Sequence, residues 1–127
     1  MEIIREKENV LLKWKVKIIK KVIKRNDNEY VQNLVSIPKE LSDSFNFNEE
    51  LFFLLNGNNI YISDIVLGDI EYKKIKLHCN KTNSGFNYRF TLPKNLFKDN
   101  YDFVYFLLDT NLLGYDLLKG KIRLCFE

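Results

Sequence analysis

Two phrases, Leu34-Val-Ser-Ile-Pro-Lys-Glu-Leu41 and Arg89-Phe-Thr-Leu-Pro-Lys-Asn-Leu96, hold the chain's two prolines and stand 55 residues apart. They agree at five positions once hydroxyl and aliphatic residues are grouped. A repeat at that spacing in a chain of 127 residues describes two units of about 50 residues. A unit that small is marginal alone, and a chain of this length holds two of them packed around one core. The expectation is one compact domain over residues 1–127, with a first unit at 13–63 and a second at 72–127.

The surroundings of the prolines extend the repeat. Each phrase follows a turn-rich polar stretch, Lys24-Arg-Asn-Asp-Asn-Glu29 or Asn80-Lys-Thr-Asn-Ser-Gly85. Each stretch follows an alternating basic and apolar segment, Lys13-Trp-Lys-Val-Lys-Ile18 or Lys74-Ile-Lys-Leu-His-Cys79, and period two is the pattern of a strand. Downstream come hairpin candidates. Leu51 to Leu55 and Ile60 to Ile62 flank Asn56-Gly57, a strong tight-turn pair, while Tyr105 to Leu108 and Lys121 to Phe126 flank a longer loop from Asp109 to Gly120. Proline suits the first turn of a short helix, and Leu41 and Phe45 supply one apolar face. With proline as the first helical residue the cap falls on Ile37 or Leu92, so packing must hold these helices. The reading is an α+β fold, mostly β, with a short helix per unit.

Composition agrees, since alanine is absent and asparagine occurs fifteen times. The longest apolar run, Phe103 to Leu108, is six residues, far short of a membrane span. Met1-Glu-Ile-Ile-Arg-Glu-Lys-Glu mixes charges before any apolar stretch, which is unlike a secretory signal, and a cytoplasmic location is expected. Cys79 and Cys125, without any C-x-x-C pair, read as reduced thiols rather than a disulfide or zinc site.

Charge is unevenly placed. Residues 1–25 carry nine Lys/Arg against three Glu, whereas residues 26–127 carry eleven against fourteen acids. An alternative for the basic segment is an amphipathic helix lying on a membrane surface, because Leu11, Leu12, Trp14, Val16, Ile18, Ile19, Val22 and Ile23 share a helical side with only Lys15 out of place. The strand is preferred, because β-branched residues dominate and the second repeat alternates without a helical stripe.

The phrase Val35-Ser-Ile-Pro-Lys-Glu-Leu41, followed by an apolar hairpin with a glycine turn, resembles the swapped-hairpin AbrB family of DNA-binding proteins, which includes MazE-type antitoxins and MraZ-type regulators. The resemblance implies two tandem units interlocked into one pseudo-dimeric barrel. It also implies contacts to DNA from basic residues of the first strand and following loop, and Arg89 matches the family's Arg or Gln four residues before the proline. Leu34 stands at that position in the first unit, Asn33 or Tyr88 replaces the preceding glycine, and the Gly-Asp usual after the helix is missing, so the resemblance is to a diverged member.

The function expected is a small DNA-binding protein, a transcriptional regulator in kind, that takes duplex DNA on a basic strand and turn. Lys13, Lys15, Lys17, Lys20, Lys21, Lys24 and Arg25 supply a phosphate-attracting potential without an acid among them. Asn26 and Asn28 at the turn, with Lys74, Lys76, Lys81 and Arg89 of the second unit, complete the candidate set. Asparagine and arginine are the side chains able to read base edges, and Gln32, Asn83 and Asn87 add to them. Alternating lysines also serve simply to solvate and protect a sheet edge. Tyr30, Phe86 and Tyr88 beside the turns could stack on bases or serve the core, and Phe52, Phe53, Phe103 and Phe106 are expected in the core. A second class of function is a protein-interaction module that keeps the barrel without nucleic acid, and a homodimer or a protein partner is open in either case. No catalytic residue, metal ligand or cofactor is expected. His78 is the only histidine, its neighbour Cys79 points to the opposite face, the five glycines are isolated, and Glu49-Glu50 and Asp99/Asp102 read as solvated carboxylates.

Overall fold

The computed structural model describes residues 1–6, 9–42, 50–66, 68–83, 85–94, 100–109 and 122–127. The described residues form ten strands: β1 (Glu2–Glu6), β2 (Asn9–Lys17), β3 (Ile19–Arg25), β4 (Asn28–Ser36), β5 (Glu50–Asn56), β6 (Asn59–Ser63), β7 (Glu71–Thr82), β8 (Gly85–Thr91), β9 (Phe103–Asp109) and β10 (Ile122–Phe126). They form one antiparallel sheet in the order β1-β2-β9-β10-β6-β5-β7-β8-β4-β3, which is not closed. The basic segment is thus two strands, and the amphipathic helix over residues 11–23 is not formed.

Two long segments turn a corner. β7 pairs with β5 through Glu71 to Lys76 and with β8 from Leu77 onward. β2 and β3 are one extended run interrupted at buried Ile18, whose N–H donates to the Asp102 carbonyl at 2.9 Å. The corners separate a layer of six strands, β2-β9-β10-β6-β5-β7, from a layer of four, β7-β8-β4-β3, and β1 extends the first layer at its edge.

Pairing crosses between the two repeats. β2 pairs with β9, β5 with β7, β10 with β6 and β4 with β8. At the last of these, Val35 lies opposite Phe90, with Leu34 opposite Thr91 and Ser36 opposite Arg89, a register unchanged when each residue is exchanged for the one 55 away. Two backbone bonds obey the same exchange: Ile37 N–H donates to Tyr88 O, and Leu92 N–H to Asn33 O, both at 2.9 Å. The alignment of the first strands differs from the sequence reading. Lys15 faces Tyr105 as Lys74 faces Phe52, so Lys15 rather than Lys13 is the counterpart of Lys74. The cause is the β3–β4 hairpin, whose arms run two residues longer from the shared centre to the turn than those of β7–β8.

The inner sides supply the core. Trp14, Ile18, Val35, Leu51, Phe53, Ile62, Ile75, Leu77, Phe90, Val104, Phe106, Ile122 and Leu124 are buried together with Ile37, Leu41 and Leu92 from the proline phrases. Each such side chain contributes roughly 1.5–3 kcal/mol by leaving water. Phe53 and Phe90 meet edge to face with centroids 5.4 Å apart. Phe52 and Phe103, expected in the core, are half-buried on the opposite side of their strands.

One helix, α1 (Lys39–Ser42), lies among the described residues. The Leu41 and Ser42 N–H groups both donate to the Pro38 carbonyl at 3.0 Å, so proline caps this turn from just outside it instead of being its first residue. The second helix, Phe45 and most of the Asp109 to Gly120 loop lie outside the described residues.

Candidate nucleic-acid interface

Alternation from Trp14 and Ile18, both buried, fixes where the basic residues point. Lys13, Lys15, Lys17, Lys21 and Arg25 take the side of the chain away from the core, while Lys20 and Lys24 share the parity of Ile18 and Val22. The seven cations therefore do not line a single face. Three of the candidate lysines are in ion pairs: Lys20 with Asp102 at 3.1 Å, Lys24 with Glu29 at 3.2 Å and Lys74 with Glu50 at 2.9 Å. Lys13 lies over the Tyr105 ring at 4.3 Å from its centroid, and Lys15 over Phe103 at 4.2 Å. Lys17 is exposed beside them on the outer side of the six-strand layer, and Lys76 is exposed at the other end of that layer, opposite Glu50.

The turn is less basic than its sequence suggests. Asn26 and Asp27 both adopt positive φ, 49° and 67°, the signs of a type I′ hairpin that asparagine and aspartate tolerate. This places Asp27 and Glu29 at the tip, where an open depression is lined by Lys24, Asn26, Asp27, Asn28 and Glu29. Its mixed charge makes the turn a poor anion site, and the cation excess lies along the strands.

The outer side of the four-strand layer has a different character. Cross-strand partners share a side, so Lys21 sits beside Gln32, Arg25 beside Asn28, Ser36 beside Arg89, Arg89 beside His78, and Asn80 beside Asn87. Arg89 is half-buried between Ser36 and His78, and Lys21, Arg25, His78, Asn80 and Asn87 are exposed. No Asp or Glu falls on this side of β3, β4, β8 or the distal half of β7. Lys81 is on the opposite side, facing Phe86. Sequence reading missed His78 and Asn80 as members of this face. The clue available was their spacing of two within an alternating strand whose buried member is Leu77.

The Pro-Lys dipeptides place two further cations by the hairpins. Lys94 Nζ lies 5.3 Å from the centroid of the Tyr30 ring, and Lys39 Nζ lies 3.8 Å from where a Cβ on Gly85 would stand. Tyr30 and Gly85 are 55 apart, as are Lys39 and Lys94, so these contacts follow the same exchange as the backbone bonds. Of the ring candidates, Phe86 is exposed, while Tyr88 packs against the core.

On the six-strand layer the Tyr105 hydroxyl donates to the Glu127 carboxylate. That bond holds its pKa above the ordinary value, with desolvation and the charges of Glu127 and Glu2 acting in the same direction. Both cysteines are free, with Cys79 exposed. Among the described residues no three His, Cys, Asp or Glu side chains converge as metal ligands, and no helix is long and apolar enough to cross a membrane. Of the carboxylates read as solvated, Glu50 pairs with Lys74 and Asp102 with Lys20, and Glu49 and Asp99 lie outside the described residues. Comparison with family models, with curated proteins and with solved structures finds no match to this chain.

Proposed function

We propose that this protein binds duplex DNA through the outer side of β7-β8-β4-β3, as a small regulator built from two interleaved swapped-hairpin units of the AbrB kind. The observation that carries this reading is the exposed sheet side holding Lys21, Arg25, Arg89, Asn80 and Asn87 without a carboxylate. Such a side attracts phosphate and also presents the groups that recognise bases. The exchanged pairings and the register about Val35 and Phe90 support the pseudo-dimeric organisation.

The test is fluorescence anisotropy of a labelled duplex over a salt series. If Lys21 and Arg25, the exposed cations of this side, each neutralise a phosphate, log K falls with log salt at a slope of about −1.8. Neutralising Lys21 and Arg25 together removes that slope. Absent or salt-independent binding refutes the proposal.

A protein-interaction module is favoured by one separate observation. Val22, Val31 and Phe86, on the reverse side of the same hairpins, are 56%, 43% and 54% exposed. In that case a co-purifying partner is lost on Val22→Ser or Phe86→Ser, and DNA binding is missing from the wild type.

A further inference from the structure

The four-strand layer is two-fold in its backbone but not in its side chains. Exchange about Val35 and Phe90 relates β4 to β8 at an offset of 55, and the pairing of β3 with β4 and of β7 with β8 then relates Ile19 to His78 and Lys21 to Asn80. Leu34 is likewise the counterpart of Arg89. Nearest the shared centre, one half of the outer side thus carries a lysine between aliphatic residues, with Gln32, Asn28 and Arg25 further toward its turn. The other half carries histidine, asparagine and arginine at the corresponding places.

These sets differ in what they can recognise. Lysine is a point charge that attracts phosphate whatever the sequence, and Ile19 and Leu34 have no hydrogen-bonding group. Arginine can bind guanine O6 and N7 together, and asparagine can bind adenine N6 and N7. A palindromic site would present the same base edges to Leu34 as to Arg89, and only one half could answer them.

We infer that the halves are specialised where they meet: Lys21 on β3 grips the backbone, Asn80 and Arg89 on β7–β8 read bases, and the cognate DNA site lacks dyad symmetry. This rests on the DNA-binding reading above. Lengths agree with one copy per site. From the centre to the two turns the arms span about 8 and 6 residues, or about 50 Å in all at roughly 3.3 Å per residue, near one and a half turns of duplex.

Selection of bound duplexes from a library with a randomised centre, using the full chain, supplies the probe. Affinities for the selected and a scrambled duplex are then measured with variants. The selected site is expected to be non-palindromic. Arg89→Ala and Asn80→Ala are expected to lower the selected-to-scrambled ratio by about 5- to 150-fold each, leaving scrambled affinity within a few-fold. Arg89→Lys, which keeps the charge of this half-buried side chain, should lose the ratio too. Lys21→Ala should weaken both duplexes equally. A palindromic selected site, or a ratio as sensitive to Lys21 as to Arg89, overturns the inference while leaving DNA binding intact. Retention of no duplex refutes DNA binding itself, and the inference with it.

Discussion

Replacing Phe90 with alanine tests whether the two repeats share one cooperative core. Phe90 is fully buried at the centre of the β4–β8 pairing, and its ring meets Phe53, which belongs to the other repeat. Removing a buried phenylalanine costs about 3–5 kcal/mol through lost transfer energy and the cavity left behind. The edge-to-face contact supplies about 0.5–1.5 kcal/mol of that. Against a typical stability of about 5–15 kcal/mol this is a large fraction. With a urea slope near 2 kcal/mol per molar, the midpoint should fall by about 1.5–2.5 M. Far-UV circular dichroism follows the whole sheet, while fluorescence of Trp14, the single tryptophan, follows β2 where it faces Phe106 of β9. Both should shift together. A shift below about 0.5 M, or a CD transition that moves while the Trp14 transition stays, would refute the argument for a shared core.

Three further outcomes follow from local geometry. Gly57 holds φ at 60° with nothing within 4 Å of where a Cβ would stand, so Gly57→Ala should cost about 1–2 kcal/mol of backbone strain alone, measured by urea melting. Lys20→Ala should cost no more than about 1 kcal/mol, because the Asp102 side chain is 74% exposed and water screens the pair; a larger loss in 0.15 M salt would count against that assignment. In an absorbance titration a tyrosine ionising above the ordinary value should be seen and should vanish in Tyr105→Phe. Because the folded pKa is raised, the Tyr105–Glu127 contribution is fully present below the ordinary value of 10.0 and is lost as pH climbs through the folded value. A titration in which no tyrosine lags would contradict the contact.

Alternation and turn residues made the strands and the repeat legible, because both are local. What sequence did not show is which strand sits beside which. Lys13 and Lys74 align in text, yet the longer first hairpin slides the register so that Lys15 takes that place. Asn56-Gly57 marks a turn correctly, but Asn56 ends β5 and pairs with Asn59, so the positive φ falls on the first turn residue, as in a type II′ turn. Lys20 and Lys24 read as open cations because Asp102 is 82 residues away from the first and Glu29 returns beside the second only when the hairpin closes. Phe52 and Phe103 show that an aromatic residue in an apolar run still obeys parity. The exposed side with Arg89, Asn80 and His78 needed the pairing of β7 with β8 before its members could be seen together.

The position of β10 has a consequence for how the protein is made. It lies between β9 and β6, in the middle of the six-strand layer, yet it is the last strand in chain order. At typical elongation of 5–20 residues per second, β6 waits about 3–12 s after its own synthesis before its neighbour emerges. Throughout that interval a row of unsatisfied backbone groups flanked by Ile60 and Ile62 is open to any complementary strand. The strand that fits it is β10 of the same chain or of another released copy, so a high local concentration of copies favours exchanged oligomers over self-closure.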